Sequence, residues 1–238
     1  MEVIALIDIL AFGAHPDDVE LNVGGTLILH ARQGLRVGVV DLSLGELASN
    51  GTVEERQKES LEAASYLQLT LRENLALPDG GIADNQSQRL KVAGALRRLR
   101  PEVVLLPSRG ARHPDHRAAS QLIESAVHLA GVKGYSLPGN PYRPRQLFFY
   151  AQSRTKMPEL VVDVSGVYEQ KLQAILSHAS QFINQEGEAF PTTINSPQFL
   201  QIIRSRDQFY GSLIGSLFGE GFFQRGPVPV DNLMDSLQ

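Results

Sequence analysis

Two short clusters of histidine and aspartate in this sequence contain residues that could do chemistry together. The first is His15-Pro16-Asp17-Asp18, and the second, much later in the chain, is His113-Pro114-Asp115-His116. A catalytic zinc ion takes about three ligands from imidazole and carboxylate groups and keeps one position for water. Hydrolysis also needs a group that moves a proton and a donor that faces the developing oxyanion. The two clusters together contain enough groups for all of these roles.

Each cluster alone has an ordinary structural explanation. A lone histidine after a strand is more often hydrogen-bonded than metal-bound, Pro-Asp is typical of a turn, and Asp17-Asp18 could cap a helix. Two similar clusters, both at strand ends, are harder to explain in this way, because adjacent carboxylates repel each other unless a cation is present. The other histidines fall in helical patterns without such acidic clusters, and we interpret them as structural: His30, His128 and His178.

The elements that must position these clusters follow from the hydrophobic pattern. Dense apolar runs predict strands over 4–12, 36–42, 70–76, 103–106, 146–150 and 160–164. Periodic stretches predict helices over 23–33, 52–67, 86–99, 117–130, 168–178 and 197–218. This alternation predicts an α/β, Rossmann-like fold with a mostly parallel central sheet and helices on both faces. Ligands bind beyond the carboxyl ends of such strands, where both clusters lie.

Composition limits the class of protein. The chain has 238 residues, 42% of them hydrophobic, which predicts a single domain over 1–238, with only a weak boundary signal near Gly131. The net charge of −4 argues against a nucleic-acid partner, and the absence of cysteine excludes thiolate ligands and a cysteine nucleophile. Since we find neither a signal peptide nor a membrane-spanning run, we expect a soluble, cytoplasmic protein without a membrane partner. The tail around Pro227 and Pro229 is expected to be extended and to pack on a neighbouring subunit.

The two clusters resemble those of the LmbE-like (PIG-L) zinc deacetylases, and the resemblance covers nearly the whole chain. Within that family the sequence is most similar to the N-acetylglucosaminyl-malate deacetylases of bacillithiol biosynthesis. Two stretches narrow the resemblance to this subgroup: Gly51-Thr52-x-Glu54-x-Arg56 and Phe209-Tyr210-Gly211-Ser212-Leu213-Ile214-Gly215. The resemblance implies an LmbE-like fold, one zinc ion or another divalent metal per subunit, an amino-sugar substrate, and a homo-oligomer, with a hexamer as the expected form.

The resemblance also implies roles for residues of the clusters. The residues that would hold the metal are His15, Asp18 and His116. Asp17 would act as the general base and then as the acid. His113, positioned by Asp115, would stabilise the oxyanion.

Substrate-binding roles follow from the same resemblance. Arg56 and Arg112 would bind the malate carboxylates, which suits the planar, bidentate donor geometry of arginine. The segment before the second cluster departs from the family pattern, so Arg109 is an equal candidate to Arg112. Glu46 would contact sugar hydroxyls. From the helical pattern alone, Arg56 is interpreted as part of a solvated helix face.

Other functions remain open at this point. One is an amidase that acts on thiol conjugates, and another is a deacetylase of a different acetamido sugar. A non-catalytic metal-binding or nucleotide-binding protein is the alternative from another class. Gly24-Gly25 after the first strand favours nucleotide binding weakly, because the Gly-x-Gly-x-x-Gly pattern is absent.

Overall fold

The computed structural model describes residues 6–152, 157–182 and 189–227. Within these ranges the chain forms one seven-stranded sheet in the order β3-β2-β1-β4-β5-β7-β6. The strands are β1 (Ile9–Gly13), β2 (Val37–Ser43), β3 (Leu71–Leu77), β4 (Val103–Pro107), β5 (Gln146–Tyr150), β6 (Leu160–Asp163) and β7 (Gly219–Gln224). The first five are parallel, and β7 runs antiparallel to β5 and β6. The predicted α/β fold with a mostly parallel sheet is therefore confirmed.

Helices cover both faces of this sheet. They are α1 (Asp18–Arg32), α2 (Val53–Tyr66), α3 (Gln86–Leu99), α4 (Pro114–Ala130), α5 (Tyr168–Leu176), α6 (Ala179–Phe182) and α7 (Phe199–Ser212). A short 3₁₀ turn, Ser165–Val167, precedes α5. The described residues contain no helix that is both long and apolar enough to cross a membrane.

The apolar runs of the sequence become strands because both faces of the sheet are buried. In β1, Leu10 and Phe12 pack into one hydrophobic core together with residues of α3 and α4. The alternate residues, Ile9 and Ala11, pack into a second core with residues of α1 and α5. In a strand that is buried on both faces, polar and apolar residues do not alternate, so the sequence of β1 is apolar throughout.

Several predicted boundaries differ from the structure. The first strand was predicted over 4–12; its described part begins only at Ile9, and residues 1–5 lie outside the described ranges. Helix α1 begins at Asp18 rather than at 23, because its polar first turn is buried against charged partners. Helix α4 begins at Pro114 instead of 117, so most of the second cluster forms its first turn. The tail beyond Pro227 lies outside the described residues.

The last strand was missed by the sequence prediction. Strand β7 begins with Gly219-Glu220-Gly221, a sequence with little apolar or β-branched character. It forms because β5 and β6 pair with it on either side. The helix predicted over 197–218 ends at Ser212, which leaves room for the turn that leads into this strand.

Candidate metal and catalytic site

The order of the strands brings the two clusters together. Strands β1 and β4 are parallel neighbours, with Ile9 opposite Val103 and Ala11 opposite Leu105. The chain leaves β1 towards β2 on one side, whereas β4 lies on the other side, so a crevice opens beyond their carboxyl ends. A pocket of about 840 Å³ lies there and is lined by residues of both clusters: His15, Asp17, Asp18, His113 and His116.

Three side chains at the pocket floor offer a set of metal ligands. The carboxylate of Asp18 lies 3.0 Å from Nε2 of His116 and 3.6 Å from Nδ1 of His15. Burial alone would raise the pKa of Asp18, but the two imidazoles hold it well below its usual value. Asp18 is therefore an anion between two nitrogen donors. Two imidazoles and one carboxylate suit a catalytic zinc ion, which takes three protein ligands and keeps an open position.

The surroundings of His116 also fit a metal ligand. Nε2 of Gln152 lies 2.8 Å from Nδ1 of His116, whereas the buried Oε1 of Gln152 has no hydrogen-bond partner within the described ranges. An amide can be turned by a half rotation, which exchanges its oxygen and nitrogen. In that orientation Nδ1–H of His116 donates to Oε1 of Gln152 and leaves the Nε2 lone pair for a cation, as metal-bound histidines usually do.

His15 is surrounded by carboxylates. Besides Asp18, its Nε2 lies 3.1 Å from Oδ1 of Asp79 and 3.3 Å from Oδ2 of Asp115. Burial would lower the pKa of His15, but hydrogen bonds to Asp18 and Asp79 raise it to about 11. Such an accumulation of negative charge around one imidazole favours an added cation at this place. Asp79 was not among the site residues predicted from the sequence.

Asp17 occupies an unusual backbone conformation at the start of α1. Its φ of 124° lies in a region that residues with a side chain rarely adopt, and such strain is concentrated at functional sites. Its carboxylate lies 3.4 Å from Nη2 of Arg56. Burial raises the pKa of Asp17 to about 6, although Arg56 acts in the opposite direction. The side chain of Asp17 lines the pocket beside Asp18. Among the described residues, His15 and His116 form ion pairs with Asp18 and not with Asp17.

His113 faces the pocket from the beginning of α4. Its Nδ1 accepts a hydrogen bond from the backbone N–H of Asp115 at 3.2 Å, so the proton of the neutral imidazole lies on Nε2. Burial, together with His116 and His15, lowers its pKa. His113 is thus a neutral N–H donor at the pocket. The contact from Asp115 comes from its backbone, because its carboxylate turns towards His15 and the N–H of Gly80.

Arg56 does not lie on a solvated helix face; it is buried and lines the pocket. Only 3% of it is exposed. It donates to the carbonyl oxygens of Gly45 at 2.9 Å and Pro16 at 2.8 Å. The capping box at Thr52, with Glu55 as its partner, begins α2 one turn earlier and so fixes where Arg56 enters the interior. Arg56 thereby ties the Asp17 turn to the loop that follows β2.

Arg109 and Arg112 were equal candidates for binding a substrate carboxylate, but their surroundings in the structure differ. Arg109 forms a two-pronged ion pair with Glu124 of α4, with distances of 2.6 and 2.8 Å, and lies away from the pocket. Arg112 lines the pocket, and no side-chain partner is found for it among the described residues. Glu46 does not line the pocket; it accepts a hydrogen bond from the backbone N–H of Asp79 at 2.8 Å.

Behind the pocket, the buried carboxylate of Glu20 pairs with the guanidinium group of Arg72 and lies beside His178. Arg72 pairs with both Glu20 and Asp41, and Nε2 of His178 lies 3.1 Å from Glu20. Burial opposes ionisation, but Arg72 and His178 lower the pKa of Glu20 to about 2. His178, which was interpreted as structural from the sequence, is fully buried and has Glu20 of α1 as an acidic neighbour that is distant in the sequence.

A second buried group, the Lys171 network, comprises Lys171, Asp207, Glu220 and Arg206. Lys171 lies 2.6 Å from Asp207 and 2.8 Å from Glu220, and all three side chains are fully buried. Glu220 accepts hydrogen bonds from the backbone N–H groups of Gly25 and Thr26 in α1. Arg206 pairs with Asp207 and also donates to Asn22 of α1 at 2.8 Å. The Lys171 network thus anchors α1, which begins at the metal-ligand turn.

Comparisons with known proteins agree with this geometry. The family model described as PIG-L, GlcNAc-PI de-N-acetylase, matches residues 10–127, a range that includes both clusters. The crystal structure of the conserved protein TT1542 from Thermus thermophilus is 42% identical in sequence and has a TM-score of 0.86. It covers 94% of this chain, and the match spans 97% of that chain.

Curated relatives carry more than one activity in their names. A diacetylchitobiose deacetylase of Thermococcus kodakarensis is 27% identical, over 90% of this chain and 81% of the relative. A probable N-acetyl-α-D-glucosaminyl L-malate deacetylase 2 of Bacillus anthracis is 28% identical, over 73% and 81%. A 4-oxalmesaconate hydratase of Pseudomonas putida is 27% identical, over 72% and 73%. From the matched clusters and the matched fold, the chain belongs to the PIG-L (LmbE-like) family of de-N-acetylating hydrolases.

Proposed function

We propose that this protein is a zinc-dependent deacetylase that removes the N-acetyl group of an N-acetylglucosaminide and releases acetate and a free amine. One observation carries the proposal: Asp18 lies between His15 and His116, while Asp17 and His113 line the same pocket, with a nitrogen of His113 close to those of His15 and His116. The site thus offers a place for a cation, an acid/base group and a donor. The family and the names of several relatives support an acetamido sugar as the substrate.

Each of these residues has a defined task in the proposed reaction. His15, Asp18 and His116 would hold the metal, which when bound polarises the amide carbonyl and lowers the pKa of a water molecule. Asp17 accepts the proton of the attacking water and returns it to the departing amine nitrogen. His113 donates its Nε2–H to the carbonyl oxygen as negative charge develops there. Asp115 supports this geometry by fixing Nδ1 of His113 through its backbone N–H.

N-acetylglucosaminyl-malate is the substrate that we propose within this class. Arg112, whose side chain has no partner in the described part of the chain, offers two parallel N–H donors to a carboxylate at the pocket wall. Arg56 also lines the pocket and is a second candidate for a carboxylate contact, although its Nη1 and Nη2 already donate to the carbonyl oxygens of Gly45 and Pro16. Arg109 and Glu46 are already bonded to other residues and are weaker candidates for substrate contacts.

Three expectations from the sequence remain proposals. They are the cytoplasmic location, a homo-oligomer with a hexamer as its form, and a single domain over the whole chain. Analytical ultracentrifugation of the full chain measures the oligomeric state directly.

The function is tested by metal analysis together with acetate release from three substrates: N-acetylglucosaminyl-malate, diacetylchitobiose and free N-acetylglucosamine. We expect one zinc ion per chain, the highest kcat/KM for the malate glycoside, and loss of activity with a chelator that added zinc restores. Bound metal without acetate release from any acetamido sugar would contradict deacetylation and favour a non-catalytic metal-binding protein. Hydration of an unsaturated dicarboxylate, assayed in parallel, would instead favour the reaction named for the Pseudomonas relative.

A further inference from the structure

We propose that Asp79 is a positioning residue that orients His15 for metal binding and couples this ligand to the wall of the substrate pocket. Oδ1 of Asp79 lies 3.1 Å from Nε2 of His15. This leaves Nδ1, the nitrogen on the side of Asp18, free for the metal. Histidines that bind metals usually donate their other ring N–H to a carboxylate, which fixes the tautomer and the ring orientation.

Asp79 is the better acceptor of the two carboxylates near Nε2 of His15. Oδ2 of Asp115 lies slightly farther away, at 3.3 Å, and already accepts the backbone N–H of Gly80 at 2.8 Å. The N–H of Leu47 binds the other carboxylate oxygen of Asp79, Oδ2, at 2.9 Å, so this hydrogen bond does not compete with His15 for Oδ1. The side chain of Asp79 is 10% exposed, so water competes little for this contact.

The same residue connects His15 to the loop after β2. Its Oδ2 accepts from the backbone of Leu47, whose side chain lines the pocket. Its own backbone N–H donates to Glu46 of that loop. Leu47 is 70% exposed, which leaves its side chain available to a ligand in the pocket. A substrate that moves this loop would therefore move the carboxylate that holds His15.

The inference rests on the proposed metal site and assigns a task to a residue outside the two clusters. Loss of a partner that orients a metal ligand typically lowers metal affinity 10–100-fold. We expect a weakening of about that size for Asp79→Ala. Asp79→Asn keeps one amide oxygen for His15 or for Leu47, but not for both, so its effect should be smaller.

The experiment measures zinc affinity by competition with a chromophoric chelator for the full-length protein and its variants. Asp84→Asn is the matched control, because Asp84 lies in the same connection between β3 and α3 and binds Arg89 and Ser125 instead of His15. We expect affinity to fall in the order wild type, Asp79→Asn, Asp79→Ala, with the control equal to wild type. Thermal unfolding of the metal-free proteins checks that the variants fold.

A second readout separates positioning from a merely structural role. In the zinc-loaded protein labelled with ¹⁵N-histidine, the Nε2–H signal of His15 should shift and exchange faster with water in Asp79→Ala. If both Asp79 variants bind zinc within about twofold of a wild type that binds zinc and releases acetate, this inference is wrong and the proposed function stands. If the wild type itself binds no zinc, both fail together.

Discussion

Two groups of buried charges contact helix α1, one at its first turn and the other between Asn22 and Thr26, and they are balanced in different ways. In the Lys171 network, the carboxylates of Asp207 and Glu220 share the ammonium group of Lys171. At the pocket, three carboxylates gather around His15 instead: Asp18, Asp79 and Asp115. These three have no lysine or arginine within ion-pair distance in the described part of the chain.

The difference in charge balance indicates that the two groups have different roles. Buried charge is costly unless an opposite charge neutralises it, and the Lys171 network contains its own cations. The group around His15 consists of carboxylates and imidazoles, without a lysine or arginine in ion-pair distance among the described residues, so its charge is balanced by a proton or a metal ion. We therefore expect changes in the pocket to alter metal binding and catalysis, and changes in the Lys171 network to alter stability.

The largest expected effect separates the two adjacent aspartates of the pocket. Asp17→Ala should lower kcat about 10²–10⁴-fold, the usual contribution of a general acid–base group, with the zinc content unchanged. Asp18→Ala should lose the metal, because it removes one of the three ligands. Metal analysis and acetate release from the same preparations measure both effects. Near-normal turnover by Asp17→Ala would show that the base is another group.

The Lys171 network should respond in the opposite way. Lys171→Met leaves Asp207 and Glu220 without their shared cation and should lower the free energy of unfolding by about 3–5 kcal/mol. Zinc affinity of the protein that remains folded should change little. Denaturant unfolding measures the free energy of unfolding, and chelator competition measures the zinc affinity.

Arg98→Met is the control, because the exposed pair of Arg98 with Glu73 should contribute only about 0–1 kcal/mol. Equal losses in the two variants would contradict the comparison.

A smaller effect is expected at the pocket wall. Arg112→Ala should raise KM for N-acetylglucosaminyl-malate about 10–100-fold, the equivalent of a lost charged hydrogen bond of about 1.5–3 kcal/mol. The KM for free N-acetylglucosamine should hardly change. Arg109→Ala, whose side chain is bonded to Glu124, should leave both values near those of the wild type. A similar rise for both substrates would exclude a carboxylate-binding role for Arg112.

The smallest expected effect tests a helix that supports the pocket but belongs to neither charged group. Thr52→Ala removes the side-chain acceptor of the α2 capping box and should cost about 1 kcal/mol of stability. Zinc affinity should stay the same, because the cap acts on the helix and not on the ligands. Denaturant unfolding with and without zinc measures this. A large drop in affinity would mean that α2 and the pocket are tightly coupled.

The sequence predicted those parts of the molecule that depend on local pattern. The helices predicted over 52–67 and 86–99 were confirmed, because caps and periodicity are properties of neighbouring residues. Both clusters were correctly expected beyond strand ends, since the carboxyl ends of parallel strands share one edge of the sheet. Contacts set by the order of strands could not be predicted in this way. Asp79 meets His15 only because β3, β2 and β1 are neighbours.

Arg56 is a second residue whose surroundings could not be predicted from the sequence. Its place in a stretch shared with malate deacetylases predicted a substrate contact, and its helical pattern predicted a solvated face. The structure buries it at the pocket wall, where backbone oxygens of Gly45 and Pro16 accept hydrogen bonds from its Nη1 and Nη2. A one-dimensional pattern does not tell whether an arginine at the start of a helix faces solvent, a ligand or a neighbouring turn.

This placement of Arg56 has a consequence for redesigning the enzyme. A library that varies all pocket arginines in order to change substrate preference would lose most of its members at this position. A Cβ on Gly45 would lie 1.7 Å from Nη1 of Arg56, so Gly45 cannot gain a side chain while Arg56 keeps its position. Arg112 and Leu47 line the same pocket and are exposed. Diversity is best introduced at these two, with Arg56 and Gly45 kept constant as one unit.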